Sequence, residues 1–135
     1  MKKTVSLIFI LLVFVCSSFT LLGCIDQGEA AQFPVIKKED IVYAEAFFRD
    51  EKECKIASED VEKLVELLER VEPLKGSFND SVYGEDYRGL NIKTEEASHH
   101  FYIYKHRNDT LLEIPYLGVY RVEEELFELL DGYLN

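Results

Sequence analysis

Residues 87–94, 99–105 and 110–114 read YRGLNIKT, HHFYIYK and TLLEI. Apolar and polar side chains alternate through all three, and a period of two places successive residues on opposite faces of a strand. Leu90 and Ile92, Phe101 and Ile103, and Leu112 and Ile114 fall on one side. Tyr87, Asn91 and Lys93, then His100, Tyr102 and Tyr104, and finally Glu113 fall on the other. Residues 107–109 (RND) supply turn chemistry between the second and third strands. Alternation of this kind belongs to an antiparallel sheet with one packed and one wet face, not to a parallel sheet covered on both sides.

Upstream, 41–48 (IVYAEAFF) reads as a first strand with Tyr43 and Glu45 on the polar side, although Ala44 and Ala46 suit a helix equally. A short second strand, 54–57, adds Lys55 to that side, and a turn centred on Glu51 sets Phe48 opposite Cys54 and Ala46 opposite Ile56. Ser58 then opens a helix, with its hydroxyl as the expected cap and Glu59, Asp60 and Glu62 at the positive dipole end. Val61, Leu64, Val65, Leu68 and Val71 form its apolar stripe, and Pro73 ends it. Residues 74–86 read as a long loop. Residues 118–121 add a short extended piece, and 122–134 a closing helix with Val122, Leu126, Leu129, Leu130 and Tyr133 inward. The order β-β-α-β-β-β-α predicts a two-layer α+β domain, an antiparallel sheet of about five strands with two helices on one face.

The N-terminus follows different rules. Lys2 and Lys3 precede an uncharged apolar run, Val5 to Cys16, of the length typical of an export signal. Ser17 and Ser18 interrupt it, and Leu21-Leu22-Gly23-Cys24 follows. This tetrapeptide resembles the bacterial lipobox, with Leu22 bulkier than the residue favoured at its position. The resemblance implies a diacylglycerol on the Cys24 sulfur and cleavage between Gly23 and Cys24. The expected division is a signal peptide at 1–23, a flexible tether at 24–37 and a single domain at 38–135. The same residues suit two other readings, an uncleaved membrane span over Val5 to Leu22 and an ordinary signal peptide with a coincidental cysteine. The strand–helix opening, Phe78-Asn79-Asp80-Ser81 and the ending GVYRVEEEL (118–126) together resemble small uncharacterised lipoproteins of Gram-positive Bacillota. That resemblance supports the fold and a location at the extracytoplasmic face of the cell membrane; the family has no assigned activity.

The net charge is −11, and Lys2 and Lys3 are the only charges among the first 23 residues, so the rest carries −13. Phosphodiester backbones and anionic headgroups repel such a body, which makes nucleic acid a poor partner. A basic protein or peptide, or divalent ions held loosely, fits the field, and the charge also serves solubility alone. Of three cysteines, Cys16 would leave with the signal and Cys24 would carry lipid, leaving Cys54 as a small core hydrophobe without a disulfide partner.

No catalytic or metal constellation emerges, and no cofactor is expected. His99 and His100 are adjacent in a strand and point to opposite faces; His106 lies on the side of His100 but roughly 20 Å along the strand. Asn79, Asp80, Ser81, Glu85 and Asp86 lack the order of a calcium loop and read as turn chemistry. Cys54 has no basic neighbour fixed by spacing, and no nucleophile elbow or phosphate-cradling glycine loop occurs. The polar sheet face, with Tyr43, Tyr87, Asn91, Tyr102 and Tyr104, offers rigid amphipathic surface suited to recognition. The leading expectation is a membrane-anchored, non-catalytic binding module for a protein, peptide or envelope polymer. The alternatives are an immunity-type lipoprotein that neutralises a basic toxin or antimicrobial peptide, and an enzyme using Cys54 or His100.

Overall fold

The computed structural model describes residues 28–49, 52–77 and 86–135. Gly23, Cys24 and the loop residues Asn79, Asp80, Ser81 and Glu85 lie outside that set. The chain forms β1 (Ile41–Phe48), β2 (Lys52–Lys55), α1 (Ser58–Glu69), β3 (Glu72–Lys75), β4 (Tyr87–Thr94), β5 (Ser98–His106), β6 (Asp109–Ile114), β7 (Gly118–Val122) and α2 (Glu124–Leu134). All pairings between the strands are antiparallel, and the sheet order is β2-β1-β4-β5-β6-β7-β3. The α+β class is as expected. The described residues hold seven strands rather than about five: the short extended piece at 118–121 joins the sheet as β7, and β3 is added to the order.

Both additions have physical reasons. β3 holds Pro73, which was expected only to stop the helix; a proline lacks a ladder donor and is tolerated because β3 is an edge strand paired solely with β7. β7 claims Val122, expected as the first inward residue of the closing helix, and pairs it with Thr110. The expected long loop 74–86 therefore starts after Lys75. In the β1–β2 hairpin Ala46 faces Cys54 and Phe48 faces Lys52, a shift of two residues from the expected pairing. An even shift keeps every side chain on its face, so the hydrophobic pattern survives it.

One side of the sheet carries the core: Ala44, Ala46, Leu90, Ile92, Phe101, Ile103, Leu112, Ile114 and Tyr120 are buried there. Leu64, Val65, Leu67 and Leu68 of α1 and Leu126, Phe127, Leu130 and Leu134 of α2 are the buried helix residues. The stripes read from sequence miss Leu67 and Phe127 and include Val61, Val71, Leu129 and Tyr133, which are only partly buried. α1 carries the chain from the β2 edge to the β3 edge across this face.

Ser58 does not cap α1. It is the first helical residue, and Ala57 holds the cap position without a side-chain bond. Tyr133 of α2 acts in its place: its hydroxyl accepts the Ala57 N–H at 2.9 Å and donates to the Asp60 carboxylate. Orphan donors of a helix start can thus be met by a distant side chain as well as by a local cap. Lys63 of α1 reaches Glu125 of α2 at 2.7 Å and ties the two helices together.

Residues 28–37 do not hang free as a tether. Gly76 N–H donates to Gly28 O at 2.9 Å, Ala31 N–H to Leu117 O at 3.0 Å, and the Tyr120 hydroxyl to Ala31 O at 2.7 Å. Phe33 stacks on Phe101 with ring centroids 5.6 Å apart and meets Tyr120 edge-on at 5.1 Å, and Ile36 is buried. The low-period stretch is an arm that closes the end of the core, so the domain starts by Gly28.

The arm runs beside the β6–β7 turn, where Leu117 N–H donates to Ile114 O at 3.0 Å. Pro115 occupies the second position and Tyr116, with φ of 64°, the third. Glycine or asparagine normally fills that third position. A tyrosine there costs about 1–2 kcal/mol.

Candidate binding face

The face opposite the helices is built from the odd-numbered residues of β1 and β4 and their partners. Register sets Phe47, Gly89, Tyr102, Glu113 and Val119 in one row across five strands. Glu45, Asn91 and His100 form the next row, with Lys55 beyond Glu45. Tyr87, Tyr104, Leu111 and Arg121 form the row on the other side. Tyr43, Tyr87, Asn91, Tyr102 and Tyr104 therefore share one face, as the alternation implies.

They do not present themselves equally. Tyr87 and Tyr102 meet at 5.6 Å, and the Phe47 ring packs edge-on against both, at 6.4 and 5.9 Å. Phe47 lies over Gly89, where an added Cβ would stand 2.1 Å from its Cζ, so the glycine makes room for the ring. Tyr104 donates to Glu113 Oε2 at 3.3 Å, and Ser77 donates to the other carboxylate oxygen. Glu113 is only 2% exposed, although the alternation places it on the wet side. Burial, and then the neighbouring Glu113 carboxylate, push the Tyr104 hydroxyl up to about 12. The β6 end of the face is thus closed under Ser77, the last described residue before the connection to β4. The β1 end stays open: Tyr43 is 38% exposed, and in the neighbouring row His100 Nδ1 bonds Asn91 Oδ1 at 2.6 Å.

Sequence reading missed Phe47, Ser77 and the burial of Glu113. Phe47 was within reach, since the period that puts Tyr43 and Glu45 outward continues to it. Ser77 was not, because its contact joins residues 36 positions apart.

The remaining candidates are dispersed. His99 is half-buried against Phe101, and burial followed by the nearby His100 lowers its affinity for a proton. Cys54 faces Ala46 on the helix-covered side, away from His100 on the open side. Among the described residues no group of three His, Cys, Asp or Glu side chains is arranged to hold a metal ion, and no helix is long and apolar enough to cross a membrane. Comparison with protein-family models, curated proteins and solved structures finds no match for this chain.

Proposed function

We propose that this chain is a bacterial lipoprotein, held at the extracytoplasmic face of the cell membrane by a diacylglycerol on Cys24, that presents a small non-catalytic binding or accessory domain. The observation that carries the proposal is the order of the N-terminus: two lysines, an uncharged apolar run, and Gly23-Cys24 at the distance a lipobox requires. Two acyl chains hold a protein stably where one is marginal. Anchoring by lipid also suits a body too acidic to be drawn to anionic headgroups by charge.

The non-catalytic part of the reading is supported by the placing of Cys54 and His100 on opposite faces, where neither can activate the other. The contact surface proposed is the β1 end of the sheet face, around Tyr43, Asn91 and His100. Tyr102 and Tyr104 border it on the same face, held in the aromatic cluster and on Glu113. The ligand class is a protein, peptide or envelope polymer, for which exposed tyrosine beside hydrogen-bonding side chains is a fitting surface.

Photocrosslinking from the lipidated full-length chain tests this surface. A photoreactive phenylalanine at Tyr43 should capture a discrete envelope component, and the same probe at Glu128, exposed on α2, should not. Equal capture from both positions, or none from Tyr43, would reject this face.

A further inference from the structure

Exposed apolar side chains stand on the arm and on the β6–β7 turn it is bonded to, and the described chain begins at that end of the sheet. Val35 of the arm is 78% exposed, and Tyr116 and Leu117 of the β6–β7 turn are 66% and 46% exposed. The arm and the turn are tied together by the Ala31–Leu117 bond. Residues 28–36 and 114–118 contain one charge, Glu29, in a chain whose residues are 30% charged. Tyr116 takes the left-handed backbone conformation that Arg49 and Arg107 also take in two other hairpin turns, and here it holds out an aromatic ring that the domain does not bury.

Three residues lie between Cys24 and Gly28, and the four steps of chain, even fully extended, span no more than about 14 Å. Gly28 is bonded to Gly76 beside the start of β7, at the same end of the sheet as the Tyr116 turn. If Cys24 carries the lipid, as proposed above, this corner cannot move far from the bilayer. We propose that the β6–β7 turn and Val35 dock into the headgroup region of the membrane that holds Cys24. Tyr116 takes the place of an interfacial aromatic, apolar ring inward and hydroxyl at the headgroups, with Leu117 and Val35 beside it. Electrostatics favours the same corner. A domain of this negative charge is repelled by anionic lipid, and the nearly uncharged arm and turn make contact at the least cost. Glu95 and Glu96, exposed in the β4–β5 turn at this end, tilt the contact toward the β6–β7 side.

The lipid supplies affinity, and the corner sets orientation. The β5–β6 hairpin, with Asn108, then points away from the membrane, and the open sheet face stands accessible from the side.

The chain has no tryptophan, so a single introduced indole reports its own depth. The lipidated full-length chain carrying Tyr116→Trp would be reconstituted in vesicles of phosphatidylcholine and phosphatidylglycerol containing brominated lipid. A parallel chain would carry Asn108→Trp. The expected result is blue-shifted, bromine-quenched emission from position 116 and the emission of a water-exposed indole from position 108. Adding Val35→Ser and Leu117→Ser to the Tyr116→Trp chain should weaken the quenching while the protein still floats with the vesicles. Vesicle-bound protein with no quenching at position 116, or equal quenching at both positions, would overturn the docking and leave the anchor standing. A membrane-extracted chain without lipid on Cys24 would remove the anchor, and the docking with it.

Discussion

Replacing Phe101 by alanine is expected to lower the free energy of unfolding by about 4 kcal/mol, the range measured for deleting a buried aromatic ring. Phe101 is fully buried on β5, the middle strand of the seven, opposite Leu90. The ring is also the seat of Phe33, so its loss removes the stacking that holds the arm against the core. Small domains are stable by about 5–15 kcal/mol, so a change of this size moves the urea midpoint far without altering the dependence on denaturant. The arm of the variant should be cut by protease near Phe33 while the sheet still resists. A loss below about 1 kcal/mol would mean that the neighbouring side chains close the cavity, and that the arm is not part of the core.

Arg88→Ala is expected to cost about 3 kcal/mol, unusual for an arginine, because this guanidinium is packed between two rings and bonded to two carboxylates. Its carbon lies 4.9 Å from the centroids of both Phe48 and Phe127. Nε donates to Asp131 Oδ1 at 2.7 Å, Nη1 donates to Asp86 Oδ1 at 2.8 Å, and the side chain is 13% exposed. Burial works against the charge, and the two carboxylates outweigh it, so the pKa of Arg88 is raised. The residue joins β4 to α2 at the rim of the core. Arg88→Lys should recover little, since an ammonium cannot reproduce the planar fork or lie flat between two rings. Urea unfolding of the pair of variants checks both statements; an unchanged midpoint in Arg88→Ala would contradict them.

Arg88 also shows where sequence reading runs out. The alternation that puts Leu90 and Ile92 inward puts Arg88 inward too, and nothing local says that a charge there will find Asp131, 43 residues away. The period of two was enough for the strands from 87 to 114 and for the faces of their side chains, because burial on one face specifies register strongly. It was not enough for β3, four residues with no alternation and a proline, which exists as a strand because β7 offers it an edge. The arm was misread for a similar reason. Phe33 and Ile36 have no period, and only the space between α1 and the end of the sheet gives them a place.

The candidate face was legible as a set and not as a surface. Tyr43, Tyr87, Asn91, Tyr102 and Tyr104 do share it, but the ring of Phe47 and the hydroxyl of Ser77 decide which of them meet solvent. Those contacts depend on pairings between strands distant in sequence. The turn at Pro115 was legible as a stop; that it carries a strained, exposed tyrosine next to the entry of the arm was not.

The anchor at Cys24 bears on everything above that concerns the membrane. Cells grown with a clickable palmitate analogue, in parallel with the Cys24→Ala variant, test it most directly when the mature chain is also analysed by mass spectrometry. The expected result is a labelled chain whose N-terminal peptide begins at Cys24, and no label in the variant. Label that survives Cys24→Ala, or a membrane-held chain that retains residues 1–23, would contradict it.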